Sequence, residues 1–429
     1  MNKIVRFGLA LTALATVLTT TARAEDPIAA WNEISETAVK TAAHPPPVAA
    51  LDFAIVHLAI YDAVNSIERR YEPYYTLVPG ATGSPSAAAA KAGHDILLGL
   101  FPGQIGPLDA AYANFLAANG LDPLDPGTAV GAQVAANMLT LRSNDGRFPP
   151  NPPPFLGRNA IGQWRPTPSL LPGPPPTMAS GLTPWVATVR PFTMNSNSQF
   201  RVDPPPELGS TEWARDYNEV KIVGSLGSAA RTAEQTEIGY FWADSGPVLW
   251  QNALRYISGK YLKDIGDTAR MYALAEVAMA DAQIACWDSK YFYNFWRPIT
   301  AIRLGGQDGN PLVPVDPDWQ PLINTPNFPE YPSGHADISG AVSHVLRLFF
   351  HRDDLSFQMT TTNALASQKT RAFTGFSQAE QEVIDARVYV GIHYRNSDTT
   401  ARAQGRRVAN WVFRHSLRPV DEPQDDSEE

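Results

Sequence analysis

An all-α fold crossed by one irregular proline-rich strap is what this sequence predicts, and three observations carry it. Apolar residues recur at helical spacing through most of the chain. No strand-rich block and no internal repeat stands out, and prolines crowd into one stretch, Arg147 to Pro206. The 429 residues are 44% hydrophobic and 18% charged, an ordinary globular composition with enough chain for two packed cores. A net charge of -9 argues against nucleic acid as a partner.

Residues 1–24 open with Lys3 and Arg6, run apolar from Phe7 to Leu18 and end Ala22-Arg23-Ala24. That is the pattern of a secretory signal peptide, too short to span a membrane, so an exported, periplasmic or secreted protein is expected. No membrane span is expected in the mature chain. Residues 25–146 are helical in pattern, with segments at Val48 to Glu68, Ser86 to Leu100 and Pro107 to Asn119. On the first of these, His57, Asp62 and Asn65 are expected to be satisfied core hydrogen-bonders. Residues 147–210 hold four runs of adjacent prolines, which forbid regular helix or central strand. Trp164, Trp185, Phe192 and Phe200 are interleaved there, so the segment is expected to wrap across a surface. Helices resume over 211–417, at Thr211 to Ile222, Thr232 to Phe241, Pro247 to Ser258 and Thr268 to Asp288, with a turn-rich loop at Gly305 to Phe328. Residues 418–429 form an acidic, solvated tail. The lone cysteine, Cys286, sits between apolar neighbours and is expected to be a buried small hydrophobe.

Three stretches of the last third carry the chemistry. Lys290 to Pro298 reads Lys-Tyr-Phe-Tyr-Asn-Phe-Trp-Arg-Pro, Tyr331 to His335 reads Tyr-Pro-Ser-Gly-His, and Arg387 to Asp398 contains His393. Lys290, Arg297 and Arg387, with a serine, a Gly-His pair and a second histidine, suit a tetrahedral oxyanion. Lys290 and Arg297 are seven apart, which on one helix places both on nearly the same face. Pro332 is expected at the first position of a new helix, with Ser333 and Gly334 in its first turn facing the anion. Ile338, Ala341, Val342, Val345, Leu346 and Phe349 continue that helix as an apolar stripe. Arg387 and His393, six apart, would lie about 120° from each other on a straight helix. Asp281 and Asp288, near the first stretch, are candidates to orient a cation.

These stretches resemble the active-site motifs of the vanadium-dependent haloperoxidases and the related membrane-type and bacterial acid phosphatases. The family pattern is Lys-x6-Arg-Pro, then Pro-Ser-Gly-His, then Ser-Arg-x5-His-x3-Asp. Here it falls on Lys290, Arg297 and Pro298, on Pro332 to His335, and on Arg387 and His393. Ala386 replaces the serine of the third motif, and Asp398 lies one position too far from His393.

The resemblance implies helical bundles of that family's type and a catalytic C-terminal region. It also implies bound vanadate, held by Lys290, Arg297, Ser333, Gly334 and Arg387, with His393 as its axial ligand and His335 as general acid/base. Lys290 would polarise hydrogen peroxide, and a halide, bromide and possibly chloride, would be oxidised to hypohalous acid equivalents for an organic acceptor. Trp287 to Pro298 is most similar to chloroperoxidase sequence, with Trp287 and Phe328 at positions that line the halide side. Asp244 resembles an acid that pairs with a pocket arginine. The alternative is an exported acid phosphatase in which His393 becomes a phospho-histidine; that reading would need Asp398 to orient His393, and the spacing, off by one, counts against it. A third reading, a non-catalytic oxyanion-binding protein, leaves His335 idle.

Overall fold

A computed structural model describes residues 26–168 and 180–420. The signal-peptide expectation at 1–24, the prolines at 174–176 and nearly all of the acidic tail lie outside the described residues. Five helices come first: α1 (Pro27–Thr41), α2 (Pro46–Glu68), α3 (Pro85–Leu100), α4 (Ile105–Asn119) and α5 (Pro126–Arg142). Their starts follow local rules. Asp26, Ser84 and Asp125 accept backbone N–H groups at the first turns of α1, α3 and α5, each with a proline just inside.

Eight helices follow: α6 (Thr211–Val223), α7 (Ala233–Phe241), α8 (Gly246–Tyr261), α9 (Ile265–Tyr293), α10 (Pro298–Arg303), α11 (Gly334–Phe350), α12 (Phe376–Tyr389) and α13 (Arg395–His415). A hairpin of β1 (Phe357–Thr360) and β2 (Thr370–Phe373), paired antiparallel with Phe357 opposite Phe373, was not expected. Its first strand alternates buried and exposed residues, the period-2 pattern that a four-residue run shows only faintly.

The 29-residue α9 is the axis of the molecule and packs on α2, α11 and α13. Its residues are buried on nearly every side, as a central helix requires. α11 and α13 lie closest of all, and two glycines permit it. A Cβ on Gly405 would stand 2.1 Å from the Asp337 carbonyl oxygen, and one on Gly340 2.6 Å from that of Arg402. This tight pair fixes the N-terminal end of α11 against α9.

One expectation needs correcting. α2 is long and apolar enough to cross a membrane, although no such stretch was expected after the leader; that window is wholly buried inside the protein. On α2, Asp62 accepts the backbone N–H groups of Tyr74, Tyr75 and Thr76, Asn65 bonds the backbone of Tyr71, and His57 meets Asn32 at 3.0 Å.

The described parts of the proline-rich segment, 147–168 and 180–206, form a packed strap. Trp164 is fully buried and its backbone N–H donates to Asn294. Two carboxylates of α9 pin it further. Asp281 accepts from the backbone N–H groups of Phe192 and Thr193 and from the Thr193 hydroxyl at 2.6–2.8 Å. Asp288 takes both arms of Arg201 at 2.7 Å. Of the two candidates to orient a cation, Asp288 does so, with Arg201 of the strap, while Asp281 holds backbone and hydroxyl donors instead. Asp281→Ala strands these donors in a buried place, so it is expected to lower unfolding stability by about 3 kcal/mol. Urea unfolding measures this, with faster proteolysis near Thr193 as the local sign.

Candidate functional site

The two cations of the first motif do not share a helix. α9 carries Lys290 in its last turn and stops at Tyr293, because Asn294 adopts the left-handed conformation at φ 49° and ψ 42°. Arg297 is extended, at φ -78° and ψ 154°, and precedes Pro298, the first residue of α10. Similarly, α11 begins at Gly334; Pro332 lies outside the helix and Ser333 is its N-cap. The Ser333 hydroxyl caps nothing and has no hydrogen-bond partner among the described residues, although it is buried. His393 is not helical either. It sits in the turn between α12 and α13, where Gly391 at φ 80° passes so close to Gly224 that a Cβ would stand 2.4 Å from its carbonyl oxygen.

The fold nonetheless gathers these side chains. Lys290 and Arg297 are wholly buried and Arg387 is 2% exposed. Arg297, Lys290, Arg387 and His335 all lie near enough to His393 to hold its imidazole well below its usual basicity, after burial itself. The Lys290 ammonium donates to the carbonyls of Pro329, Glu330 and Pro332. Its three N–H groups are therefore spent, and what it gives the pocket is charge. Burial pushes its pKa down to about 8. Arg297 donates from Nε to Phe328 at 2.9 Å and from Nη1 to Ile392 at 2.9 Å and to Nε2 of His393 at 3.2 Å. Its Nη2 is buried with no partner among the described residues, as is Nε of Arg387, whose Nη1 donates to the Trp242 carbonyl at 2.8 Å. Free N–H groups on two desolvated guanidiniums beside a free serine hydroxyl fit a multiply charged tetrahedral oxyanion such as vanadate or phosphate.

Glu330 was missed by sequence reasoning. Nδ1 of His393 donates to its Oε1 at 2.7 Å, the backbone N–H of Tyr394 donates to the same oxygen at 3.1 Å, and the Ser397 hydroxyl donates to Oε2 at 2.6 Å. With three donors it is acceptor-only, so the His393 proton stays on Nδ1 and Nε2 presents its lone pair toward Arg297. Its signal was an acid placed directly before the Tyr-Pro-Ser-Gly-His stretch. Asp398, whose spacing already set it apart from His393, lies beside Ser333 and Arg387, and burial holds its carboxyl well above the ordinary range. Asp244 meets no arginine either. Its carboxylate accepts from Thr362 and Thr361, and its carbonyl accepts from Nε2 of His335 at 2.9 Å.

On the other side of the lysine, Trp287 and Phe328 meet with ring centroids 5.1 Å apart. Lys290 and Arg297 lie over the Phe328 ring at 5.1 and 4.7 Å.

Comparison with known proteins agrees with this geometry. The family model of the VCPO second helical-bundle domain matches residues 270–422, a span holding all the site residues named above except Asp244. The chain is 27% identical over 282 residues to vanadium chloroperoxidase of Curvularia inaequalis, covering 50% of this chain and 46% of that enzyme. The alignment thus spans about half of that relative's length. The structure superposes on the first bacterial vanadium-dependent iodoperoxidase with a TM-score of 0.78, at 28% identity over 92% of this chain and 98% of that one. The chain is thus similar to vanadium haloperoxidases in its C-terminal helical bundle and in overall fold. An apo-type bacterial vanadium-dependent chloroperoxidase shares the fold, at a TM-score of 0.69 and 19% identity over 86% of this chain and 93% of that one.

The site's charge sets a pH dependence. Lys290 is cationic below about 8 and neutral above it. Glu330, pushed up to about 7 by burial, gains its negative charge over a lower range. Both changes oppose an anion as pH rises. Sulfate, whose own charge is constant there, is expected to bind progressively more weakly from pH 6 to 9. Calorimetry on Lys290→Met is expected to show weaker binding throughout and no remaining step near pH 8.

Proposed function

We propose that this protein is a vanadate-dependent haloperoxidase, which uses hydrogen peroxide to oxidise halide to hypohalous acid equivalents. The observation that carries the reading is the set of buried donors with no partner among the described residues, Arg297 Nη2, Arg387 Nε and Ser333 Oγ, grouped with a histidine whose unprotonated Nε2 accepts from Arg297 Nη1 at 3.2 Å and is the atom that would turn to a ligand. The iodoperoxidase and chloroperoxidase among its relatives support the same reading.

When bound, vanadate supplies a Lewis acid that makes peroxide a stronger oxidant. Arg297, Arg387 and Ser333 would hold its oxygens with Gly334 at the N-terminus of α11, while Lys290 adds charge from behind its carbonyl cage. His393 would offer Nε2 as the direct ligand, with Glu330 fixing its proton on Nδ1. His335 gives its Nε2 proton to the Asp244 carbonyl, so Nδ1 is its basic atom. Burial and Arg387 push its pKa down to about 3, which keeps it neutral with Nδ1 unprotonated, and an anion bound beside it would raise its basicity toward that of a proton acceptor for peroxide. The overall reaction consumes one proton and yields water with the hypohalous acid.

Bromide and iodide stand first as substrates. The ring-lined side formed by Trp287 and Phe328 penalises desolvation, and larger halides shed water more readily. Export, proposed from the pattern of residues 1–24, places this chemistry outside the cytoplasm.

A phosphatase is the second reading, and the Glu330–His393 contact favours it, because the same lone pair suits attack on phosphorus. Protein stripped of phosphate and assayed for bromination of an organic acceptor, with and without vanadate, separates the two. Vanadate-dependent turnover is expected; fast hydrolysis of p-nitrophenyl phosphate with no bromination on adding vanadate would decide for the phosphatase. His393→Ala is expected to abolish stable vanadate binding, whereas His335→Ala keeps vanadate and loses at least about 100-fold in turnover, the usual worth of a general base. Equilibrium dialysis and initial rates measure the two losses.

A further inference from the structure

The halide side poses a physical problem. A halide leaving water for a pocket of aromatic rings needs at least one N–H or O–H donor to replace its hydration. The donors around Trp287 and Phe328 are almost all in use. The Trp287 indole N–H points to the Leu182 carbonyl at 3.4 Å, and the Lys290 ammonium is spent on three carbonyls. Phe328 has no polar side-chain hydrogen, and its backbone N–H goes to the Pro326 carbonyl at 3.0 Å.

Arg297 Nη2, whose guanidinium lies over the Phe328 ring, has no partner among the described residues and is counted with the oxyanion donors; a neutral donor is spare as well. Gln283 stands on α9 one turn before Trp287 and two turns before Lys290, on the same face of the helix. It is 1% exposed, and its Nε2 has no hydrogen-bond partner among the described residues. A Cβ built on Gly334 would lie 3.2 Å from Cζ3 of Trp287 and 3.6 Å from Nε2 of Gln283. The amide and the indole therefore flank the same side of Gly334, at the N-terminus of α11. The free oxyanion donors belong to other elements: Arg297 precedes α10, Arg387 is on α12, and Ser333 caps α11.

We propose that Gln283 is the halide-binding donor of this site, its carboxamide N–H taking the anion against the Trp287 ring. The inference rests on the haloperoxidase reading for its substrate and assigns a residue which that reading leaves out. A neutral amide suits the task. It gives a directed N–H without adding a fourth cation to a pocket already holding three, and it holds a halide loosely enough for the halide to react.

The test uses the full vanadate-loaded protein and bromide. Gln283→Leu keeps the approximate volume and removes the donor. Bromide binding without peroxide, read from line broadening in bromine-81 NMR, is expected to weaken about tenfold, the worth of one hydrogen bond to an anion. The KM for bromide is expected to rise in parallel, while vanadate affinity and the KM for peroxide stay put. Gln283→Asn, which retains a donor on a shorter arm, is expected to fall between wild type and the leucine variant. Unchanged bromide binding in Gln283→Leu overturns the proposal and assigns the amide to a structural water. A matching loss of vanadate affinity overturns it too, making Gln283 an oxyanion donor. If wild-type protein binds bromide through Gln283 yet brominates nothing, the site stands and the haloperoxidase reading fails.

Discussion

Three cations withheld from water are the constraint on which the catalytic half of this fold depends. Lys290, Arg297 and Arg387 are buried, Arg297 near enough to the other two to feel both charges, and burial pushes the basicity of each well down, to about 8, 10 and 10. Such charges are tolerated only where fixed dipoles and counter-charges surround them. The protein supplies backbone carbonyls from Phe328, Pro329, Glu330, Pro332, Ile392 and Trp242, all in segments with no regular helical bonding of their own to satisfy except at their edges. Loops 304–333 and 390–394 are therefore shaped around the cations. What the carbonyls do not neutralise is left for an anion, and the donors on Arg297, Arg387 and Ser333 remain free to meet it.

The same constraint explains why Glu330 matters. A histidine among three cations must be neutral, and a neutral imidazole is a ligand only through the nitrogen that lacks the proton. Glu330, braced by Ser397 and the Tyr394 backbone, settles which nitrogen that is. His335 is held the other way round, with its Nε2 proton on a backbone carbonyl. Two histidines in one field thus present opposite tautomers, one suited to holding a central atom and one to moving a proton at its rim.

Much of this was legible in the sequence, and its limits are physical. The residue types and their order gave the oxyanion chemistry, because Lys290, Arg297, Ser333, Arg387 and His393 carry it whatever the local backbone does. The long helices were legible from apolar periodicity. Local geometry was not. Helical spacing placed Lys290 and Arg297 on one face, yet a single left-handed residue, Asn294, turns the chain between them and the two meet through the tertiary fold. Gly391 does the same between Arg387 and His393. Glu330 and Gln283 escaped because their partners are remote: Glu330 meets His393 63 positions away, and Gln283 faces Gly334 from another helix. The strap was foreseen from its interleaved aromatics, but that Asp281 and Asp288 fasten it was not, because their partners lie 87 to 89 positions away.

The central claim is that one buried pocket presents the His393 lone pair and three spare donors to a single tetrahedral oxyanion. A crystal structure of the protein soaked in orthovanadate tests it most directly. The account predicts vanadium bonded to Nε2 of His393, with oxygens in hydrogen-bond contact with Arg297 Nη2, Arg387 Nε and Ser333 Oγ, and Nδ1 of His393 still on Glu330. Vanadate bound elsewhere, or held in the pocket while Nε2 of His393 stays hydrogen-bonded to Arg297, would contradict it.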